Sequence, residues 1–563
     1  MRRLLRFLAM SVALAPPLVA QAPDRDTMGL RPAFRLIDRF VAREMQSSNT
    51  PGLALALVDR AGIITVRGYG YADVDRRIPV DRATRFQIGS ISKSFTAIAL
   101  LQLADEGKFD PRTPVRSYLS WFAPTTRWRP ITGHDLLTHT SGLPRDRDDI
   151  PSSPAQGYLT RERTVGSAPG ARWAYSNVGY QVLGQLLETI EKEPYDEVIR
   201  RRILEPLSMT ATEARFTHET RPRLAVGYRR LHDDRPGRST DPLVPAEWIE
   251  YASGDGSIVS NPVDMGSYLV MLLNRGQGPR GRVLSPDRYT ELTKPHANTT
   301  RGGDDYGYGL FLSTLDRRPV FYHGGGMLGF TSHLIGEPAL GVGAVAFVNG
   351  PGSPGAVARF AVRALSAAMR GDSLPEVPPV VPPSVVARPE RYAGTYRSPE
   401  GDSLVFAAAG DSLILVRPGR RDALETYDED AFLGPAPDFA LFPIRFGTDS
   451  IGATEAWYGG RWYAGGRHQS RPFRTAPAEW QAYVGHYRIM QPWEPNFRIV
   501  IRQARLWYID PDGGEEVLTP LGPGEFRVGE EGSAERLRFD EVIGGKALKA
   551  VFSGMAYYRF FTP

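Results

Sequence analysis

Ser90 and Lys93 stand three residues apart at the head of an apolar run, Phe86-Gln-Ile-Gly-Ser-Ile-Ser-Lys-Ser-Phe95. Residues at that spacing share a face of a helix, so the serine hydroxyl and the lysine amine can touch. Burial beside a helix N-terminus disfavours a charged ammonium, which makes Lys93 a proton acceptor and Ser90 a nucleophile. The plain alternative is a polar first turn capping a core helix. Two further sets could complete such chemistry. Tyr175 and Asn177, within Trp173-Ala-Tyr-Ser-Asn177, offer a phenol and a carboxamide on a short loop. His323-Gly324-Gly325-Gly326 offers an imidazole and glycines that let a second backbone approach a strand edge. Taken singly, these two also read as a packed tyrosine with a helix-capping asparagine and as a glycine-rich hairpin.

The surrounding pattern supplies elements to hold these groups. Residues 94–104 are almost wholly Ala, Ile, Leu and Phe, which predicts a buried helix closed by Gly107-Lys108. Upstream, Phe34, Ile37, Val41 and Met45 recur at helical spacing, and the runs 53–58 and 63–69 read as a β-hairpin. From about 110 to 250 the chain is rich in Pro, Gly and Trp without clear strand pairing, which predicts a helical insertion beside the site. His134 and His139 lie five apart, the wrong spacing for two metal ligands on one helix face, and are expected to be structural. A glycine-rich turn over 254–260 precedes a helix expected near Pro262. Strands are then expected over 308–314, 319–322, 330–335 and 342–348, an antiparallel meander with the His323 run between the second and third. A helix over 355–369 should pack back on the sheet.

At 563 residues the chain has room for two to four domains. The formal charge is +5, three of those charges lie at Arg2, Arg3 and Arg6, and no basic run occurs, which argues against nucleic acid as a partner. Residues 1–20 read as a secretory signal peptide, with those arginines, an apolar stretch and small residues at Ala20 and Ala22. A periplasmic or secreted protein with no stable membrane span after cleavage is therefore expected. The absence of cysteine excludes disulfides, thiolate metal sites and a cysteine nucleophile. A Pro-rich linker over 371–390 should end a catalytic domain of 30–370. The chain beyond the linker repeats itself: Tyr392-Ala-Gly-Thr-Tyr396 returns as Tyr483-Val-Gly-His-Tyr487, 91 residues on. Phe432, Phe446 and Trp457 are matched to Phe526, Phe539 and Phe552. Two small tandem β-barrels, 391–475 (lipocalin-like) and 476–563, are expected.

With these motifs in order, residues 30–370 resemble the serine β-lactamase and penicillin-binding-protein superfamily, within it the class C β-lactamase-related branch of D-aminopeptidases, D,D-carboxypeptidases and esterases. The resemblance implies an α/β (α+β) fold, an antiparallel sheet of about five strands flanked by helices, with an all-helical subdomain and the active site between them. It implies Ser90 as the nucleophile of an acyl-enzyme, Lys93 as its hydrogen-bonded proton partner and Tyr175 as general base or proton shuttle. Asn177 would bind the substrate amide, and the backbone N–H groups of Ser90 and Gly326 would form the oxyanion hole. His323 stands where most β-lactamases carry lysine, and a histidine gives only part of a positive charge for a β-lactam carboxylate. That favours a peptidase, amidase or esterase acting on a small D-amino-acid peptide, amide or ester. A β-lactamase and a catalytically silent peptidoglycan-binding scaffold remain as alternatives. An α/β-hydrolase is set aside, because no Gly-x-Ser-x-Gly elbow occurs. No metal or organic cofactor is implied. Barrels of this kind either cover the active site or mediate homo-oligomer assembly, and both roles stay open.

Overall fold

The computed structural model describes residues 28–145, 165–299, 302–468 and 475–560; the expected leader lies outside them. Helix α1 (Arg31–Ser48) leads into strands β1 (Gly52–Asp59) and β2 (Gly62–Asp73). Helix α2 (Ser92–Asp105) carries the serine motif at its head, and α3 (Asn177–Glu191) and α4 (Pro262–Leu273) come after it. The chain then forms β3 (Phe311–Leu315), β4 (Arg318–Met327), β5 (Phe330–Glu337), β6 (Val342–Val348) and helix α5 (Pro354–Arg370). The strands make one antiparallel sheet in the order β3-β4-β5-β6-β1-β2, lengthened at both edges by two-residue pieces to nine strands.

Alternation along β1 shows why the sheet is covered on both faces. Leu53, Leu55 and Leu57 point to the side packed by α1 and α5, while Ala54 and Val58 point to the side of α2 and α4. Phe40 and Phe360 stack with centroids 4.0 Å apart where α1 meets α5. Helix α2 is apolar on every face, and it is buried on every face: Phe95, Ile98, Leu100, Leu101 and Leu103 are fully shielded. Each such side chain contributes roughly 1.5–3 kcal/mol of burial, which anchors the turn in front of the helix.

Several expected boundaries move. Helix α3 begins at Asn177 itself, with Ser176 as its cap accepting from the Gly179 N–H at 3.1 Å. His134 lies on a short helix, Gly133–Leu137, started by Thr132 and Asp135 in a reciprocal capping box, and His139 lies beyond its end. Among its described residues the 110–250 region holds one short strand pair, Tyr228–Arg230 with Leu243–Pro245. The His323 run does not connect two strands; it lies inside β4, paired with β5 from Phe321 to Met327. Gly325 is there because the backbone of β4 touches the turn that carries Ser90.

Residues 372–388 contain no helix or strand. Beyond them a nine-stranded antiparallel sheet curls until its edge strands are Arg420–Ala423 and Glu425–Asp428, neighbours in sequence, so the barrel is nearly closed. The last eight strands form a closed barrel, Gly485–Arg488 pairing with Met555–Phe560. The repeat is structural: the Tyr396 hydroxyl donates to the Tyr392 carbonyl at 2.9 Å, and the Tyr487 hydroxyl to the Tyr483 carbonyl at 2.8 Å. Tyr392, Phe432 and Phe446 cluster as Tyr483, Phe526 and Phe539 do. The third match shifts by one position. Phe446 pairs with Ala456, and Phe539 pairs with Ala550, so Trp457 corresponds to Val551 and not to Phe552. Period-two alternation accounts for it: Phe552 faces its barrel core, whereas Trp457 lies under the guanidinium of Arg502 from the second barrel, 5.3 Å away.

Candidate active site

Ser90 sits in a 3-10 turn, Gly89–Ile91, that runs directly into α2. That turn is gripped from two sides. Phe86–Gln87 pairs with Val259–Ser260, and the Ile88 N–H donates to the Ile258 carbonyl at 2.9 Å. On the other side β4 lies against it: a Cβ on Gly325 would stand 1.9 Å from the Ile88 carbonyl oxygen, and one on Gly89 would stand 2.7 Å from the Gly326 nitrogen. Gly89 also has φ +52°, the left-handed region. The two backbones therefore touch, and Ser90 and Gly326 line one junction, with nothing within 4 Å of the Gly326 Cβ position.

Lys93 is fully buried. Its Nζ donates to Ser90 Oγ at 3.0 Å, to Asn177 Oδ1 at 2.7 Å and to the Asp255 main-chain carbonyl at 2.8 Å. Two of these partners, a carboxamide oxygen and a carbonyl oxygen, can only accept. Ser90 is the one partner of the three with a proton to give, so a neutral Lys93 would keep two donated bonds and receive the third from Ser90. The Lys93 nitrogen also lies over the Tyr175 ring, 4.9 Å from its centroid, and over that of Tyr180 at 5.6 Å.

The Asp255 contact is not legible in the sequence, where 254–260 reads only as a turn. It depends on a glycine pair. A Cβ on Gly184 would meet the Gly254 nitrogen at 2.9 Å, and one on Gly254 would meet the Tyr180 carbonyl at 2.6 Å, so α3 and this segment pack backbone to backbone. The Asp255 carboxylate is fixed by the Tyr251 hydroxyl at 3.0 Å and by Ser253 Oγ. Ser92, Ser94 and Thr96, polar residues in an otherwise apolar helix, are spent the same way. Ser92 Oγ accepts from the Ile258 N–H, Ser94 Oγ bonds the Tyr268 hydroxyl, and Thr96 Oγ1 donates to the Gly254 carbonyl.

His323 is buried and not presented to the cleft. It is 2 % exposed, and its nitrogens belong to a chain of bonds behind Tyr175. The Ser176 N–H donates to His139 Nδ1 at 3.0 Å, so the neutral His139 carries its proton on Nε2, 3.2 Å from the Tyr306 hydroxyl. At the far end His323 Nδ1 lies 2.6 Å from the Gly324 carbonyl, an acceptor, which places a proton on Nδ1, and Nε2 lies 3.2 Å from the Tyr306 hydroxyl. No motif in the sequence marks His139 or Tyr306 as a site residue. The structural role expected of His139 is served right beside the centre, its ring packed 4.3 Å from that of Tyr175. His134 lies apart, with Tyr308 and His296.

A family model described as Beta-lactamase matches residues 37–368. The chain belongs to the beta-lactamase family. Within this family of serine hydrolases it is similar to Protein flp of Staphylococcus aureus, 26% identical over 328 residues that make up 56% of this chain and 62% of that protein. The chain thus spans less than two thirds of that relative. Among solved structures, the octameric penicillin-binding protein homologue from Pyrococcus abyssi superposes with TM-score 0.56 at 23% identity, over 76% of this chain and 98% of the other. The D-amino acid amidase from Ochrobactrum anthropi SV3 superposes with TM-score 0.50 at 26% identity, over 61% of this chain and 99% of the other. The beta-lactamase-like fold thus spans the sheet, the helices on both its faces and the Ser90 turn.

Proposed function

We propose that this member of the beta-lactamase family hydrolyses amide, peptide or ester bonds through an acyl-enzyme on Ser90. The observation that carries the reading is the buried Lys93 nitrogen, held by two pure acceptors and by the Ser90 hydroxyl. In the proposed step Ser90 Oγ attacks the substrate carbonyl carbon and its proton passes to Lys93 Nζ. The carbonyl oxygen gains the negative charge and is held by the backbone N–H groups of Ser90 and Gly326. Loss of one such donor typically costs ~3 kcal/mol of transition-state stabilisation. The leaving amine or alcohol takes a proton through the Tyr175 phenol, which is replenished from Lys93. Water then enters by the reverse proton path and releases the acid, regenerating Ser90.

The amidase relative acts, by its name, on D-amino acid amides, which supports amides and short peptides of amino acids as the first substrate class to test. His323 is buried where most β-lactamases present a lysine to the β-lactam carboxylate, which disfavours efficient β-lactam turnover. Asn177 Oδ1 accepts from Lys93, and the same side chain is the one proposed to meet the substrate amide. Export, proposed from Arg2, Arg3, Arg6 and the apolar run behind them, would bring the protein to peptidoglycan-derived substrates.

The test compares the purified protein with Ser90→Ala on D-aminoacyl p-nitroanilides, D-Ala-D-Ala peptides, p-nitrophenyl esters and nitrocefin. Turnover abolished in the variant supports the acyl-enzyme, and turnover that survives it overturns the mechanism. A protein silent on all four that also resists fluorophosphonate labelling at Ser90 would favour the scaffold reading.

A further inference from the structure

Tyr175, the proposed proton carrier, sits on a stretch without helix or strand that ends where α3 begins. A phenol that must meet both Lys93 and a leaving group has to be held to within about half an ångström. The residues on its two sides are tied to one and the same partner. The Ala174 N–H donates to the His139 carbonyl at 2.8 Å, and the Ser176 N–H donates to His139 Nδ1 at 3.0 Å. One bond uses the backbone of His139 and the other its ring. The ring also packs on the phenol between them, with centroids 4.3 Å apart.

His139 is itself firmly placed. It is fully buried and has φ +58°, a left-handed conformation uncommon among non-glycine residues. The turn that imposes this conformation is fixed beside it, where the Thr140 N–H donates to the Asp135 carbonyl at 2.9 Å. The Asp135 carboxylate is in turn held by Arg129 and Thr132. At the far side of the ring Nε2 lies 3.2 Å from the Tyr306 hydroxyl, which lies 3.2 Å from His323 Nε2 on β4. The imidazole is therefore anchored at both nitrogens, to the Tyr175 loop through Nδ1 and towards the sheet through Nε2. The Ser176 N–H requires an acceptor bonded directly to Cγ, and histidine supplies one in Nδ1.

We propose that His139 is a positioning residue for proton transfer, setting the Tyr175 phenol for its step while touching no substrate itself. This rests on the reading of Tyr175 as the group that protonates the leaving amine or alcohol. The consequence depends on the bond being cleaved. When an amide is acylated onto Ser90, the C–N bond breaks as the phenol proton passes to the leaving nitrogen, and Lys93 Nζ replaces that proton. Acylation by an amide thus needs a well-placed phenol. A p-nitrophenolate leaves as a stable anion and needs no proton, while Ser90 and Lys93 still carry out the attack. A displaced Tyr175 slows amides and spares activated esters, whereas a loss of folded protein slows both alike.

The experiment measures kcat/KM of the full chain on the p-nitroanilide and the p-nitrophenyl ester of D-alanine, per Ser90 counted by fluorophosphonate labelling. His139→Gly keeps the left-handed backbone and removes the ring, and His139→Gln moves the acceptor one bond too far out. Either variant should lose about a hundredfold on the anilide, in kcat more than in KM, and stay within about threefold of the parent on the ester. His139→Asn, which puts Oδ1 on Cγ and tolerates positive φ, should recover most of the anilide rate. Tyr175→Phe tests the reading underneath. It should show the same selective loss, and His139→Gly added to it should cost little more. Equal losses on the two substrates in the His139 variants, or no recovery in His139→Asn, overturn the positioning role. A Tyr175→Phe variant that keeps its anilide rate overturns the reading of Tyr175 instead.

Discussion

Lys93 Nζ lies 2.7 Å from Asn177 Oδ1, nearer than it lies to Ser90 Oγ at 3.0 Å. The lysine is oriented by the head of α3 as much as by Ser90, and Asn177 is therefore a positioning residue for it. Asn177→Ala should leave a buried amine short of an acceptor and lower stability by about 1–3 kcal/mol. Asn177→Asp should keep the fold but set a carboxylate against Nζ, favour the ammonium and slow acylation by about tenfold or more. Chemical denaturation and burst-phase kinetics on an activated ester separate the two effects.

Neighbouring glycines in β4 should behave oppositely. A methyl at Gly325 would run into the Ile88 carbonyl oxygen at 1.9 Å, whereas a methyl at Gly326 meets nothing within 4 Å. Gly325→Ala should displace the Ser90 turn, with a loss on the order of 1–3 kcal/mol from overpacking and little remaining labelling by a fluorophosphonate. Gly326→Ala should melt within a degree or two of the parent while raising KM, since its methyl projects into the cleft.

Acid should weaken the sheet through His333. This residue on β5 is buried with its ring stacked on that of Tyr322, and burial, with the Arg359 charge in second place, holds its pKa down to about 3. In the unfolded chain it titrates near 6.5, so between those values the unfolded state binds the extra proton. Stability is full above about pH 6.5 and falls as pH drops towards 3, by an amount on the order of several kcal/mol. His333→Gln should flatten the stability profile over that window. A slope unchanged from the parent, measured by urea unfolding at about pH 7, 6, 5 and 4, would assign acid lability elsewhere.

The two barrels carry one internal bond in common but should not lose equally by its removal. Tyr396→Phe deletes a single donated bond to the Tyr392 carbonyl and should cost roughly 0.5–1.5 kcal/mol. The Tyr487 hydroxyl also reaches the Ala547 carbonyl at 3.3 Å and accepts from Arg559 at 3.0 Å. Tyr487→Phe leaves that guanidinium short of an acceptor and should cost more, roughly 1–3 kcal/mol. Calorimetric melting of both variants orders them.

Local contacts are the ones the amino-acid order made legible. Ser90 and Lys93 meet because a helical turn brings positions three apart together, whatever surrounds them. The cap of α3 is equally local, yet it is Ser176 and not the Asn177 offered as a cap by the sequence, because the helix starts at Asn177 itself. The barrel repeat was readable because two copies of one tyrosine motif make one bond twice. Even there the match of Trp457 to Phe552 failed, because a strand shifted by a single residue turns the opposite face inward, and only the register shows the shift.

The sequence by itself determined the antiparallel core through apolar periodicity, the family through the resemblance its three motifs carry, and the meeting of Ser90 with Lys93 through local spacing. Only the tertiary structure decided what those residues touch. The Asp255 carbonyl that completes the Lys93 cradle is a main-chain atom, which every residue type carries and no motif marks. The chain His139–Tyr306–His323 joins segments more than a hundred residues apart and ends on a backbone donor at one side and a backbone carbonyl at the other. The carboxylates of Glu530 and Glu535 come from a separate barrel, brought to the Tyr175 side of the site by Arg145, Arg172 and a glycine contact. Contacts between distant segments form when whole elements pack, so their chemistry appears only when the elements are in place.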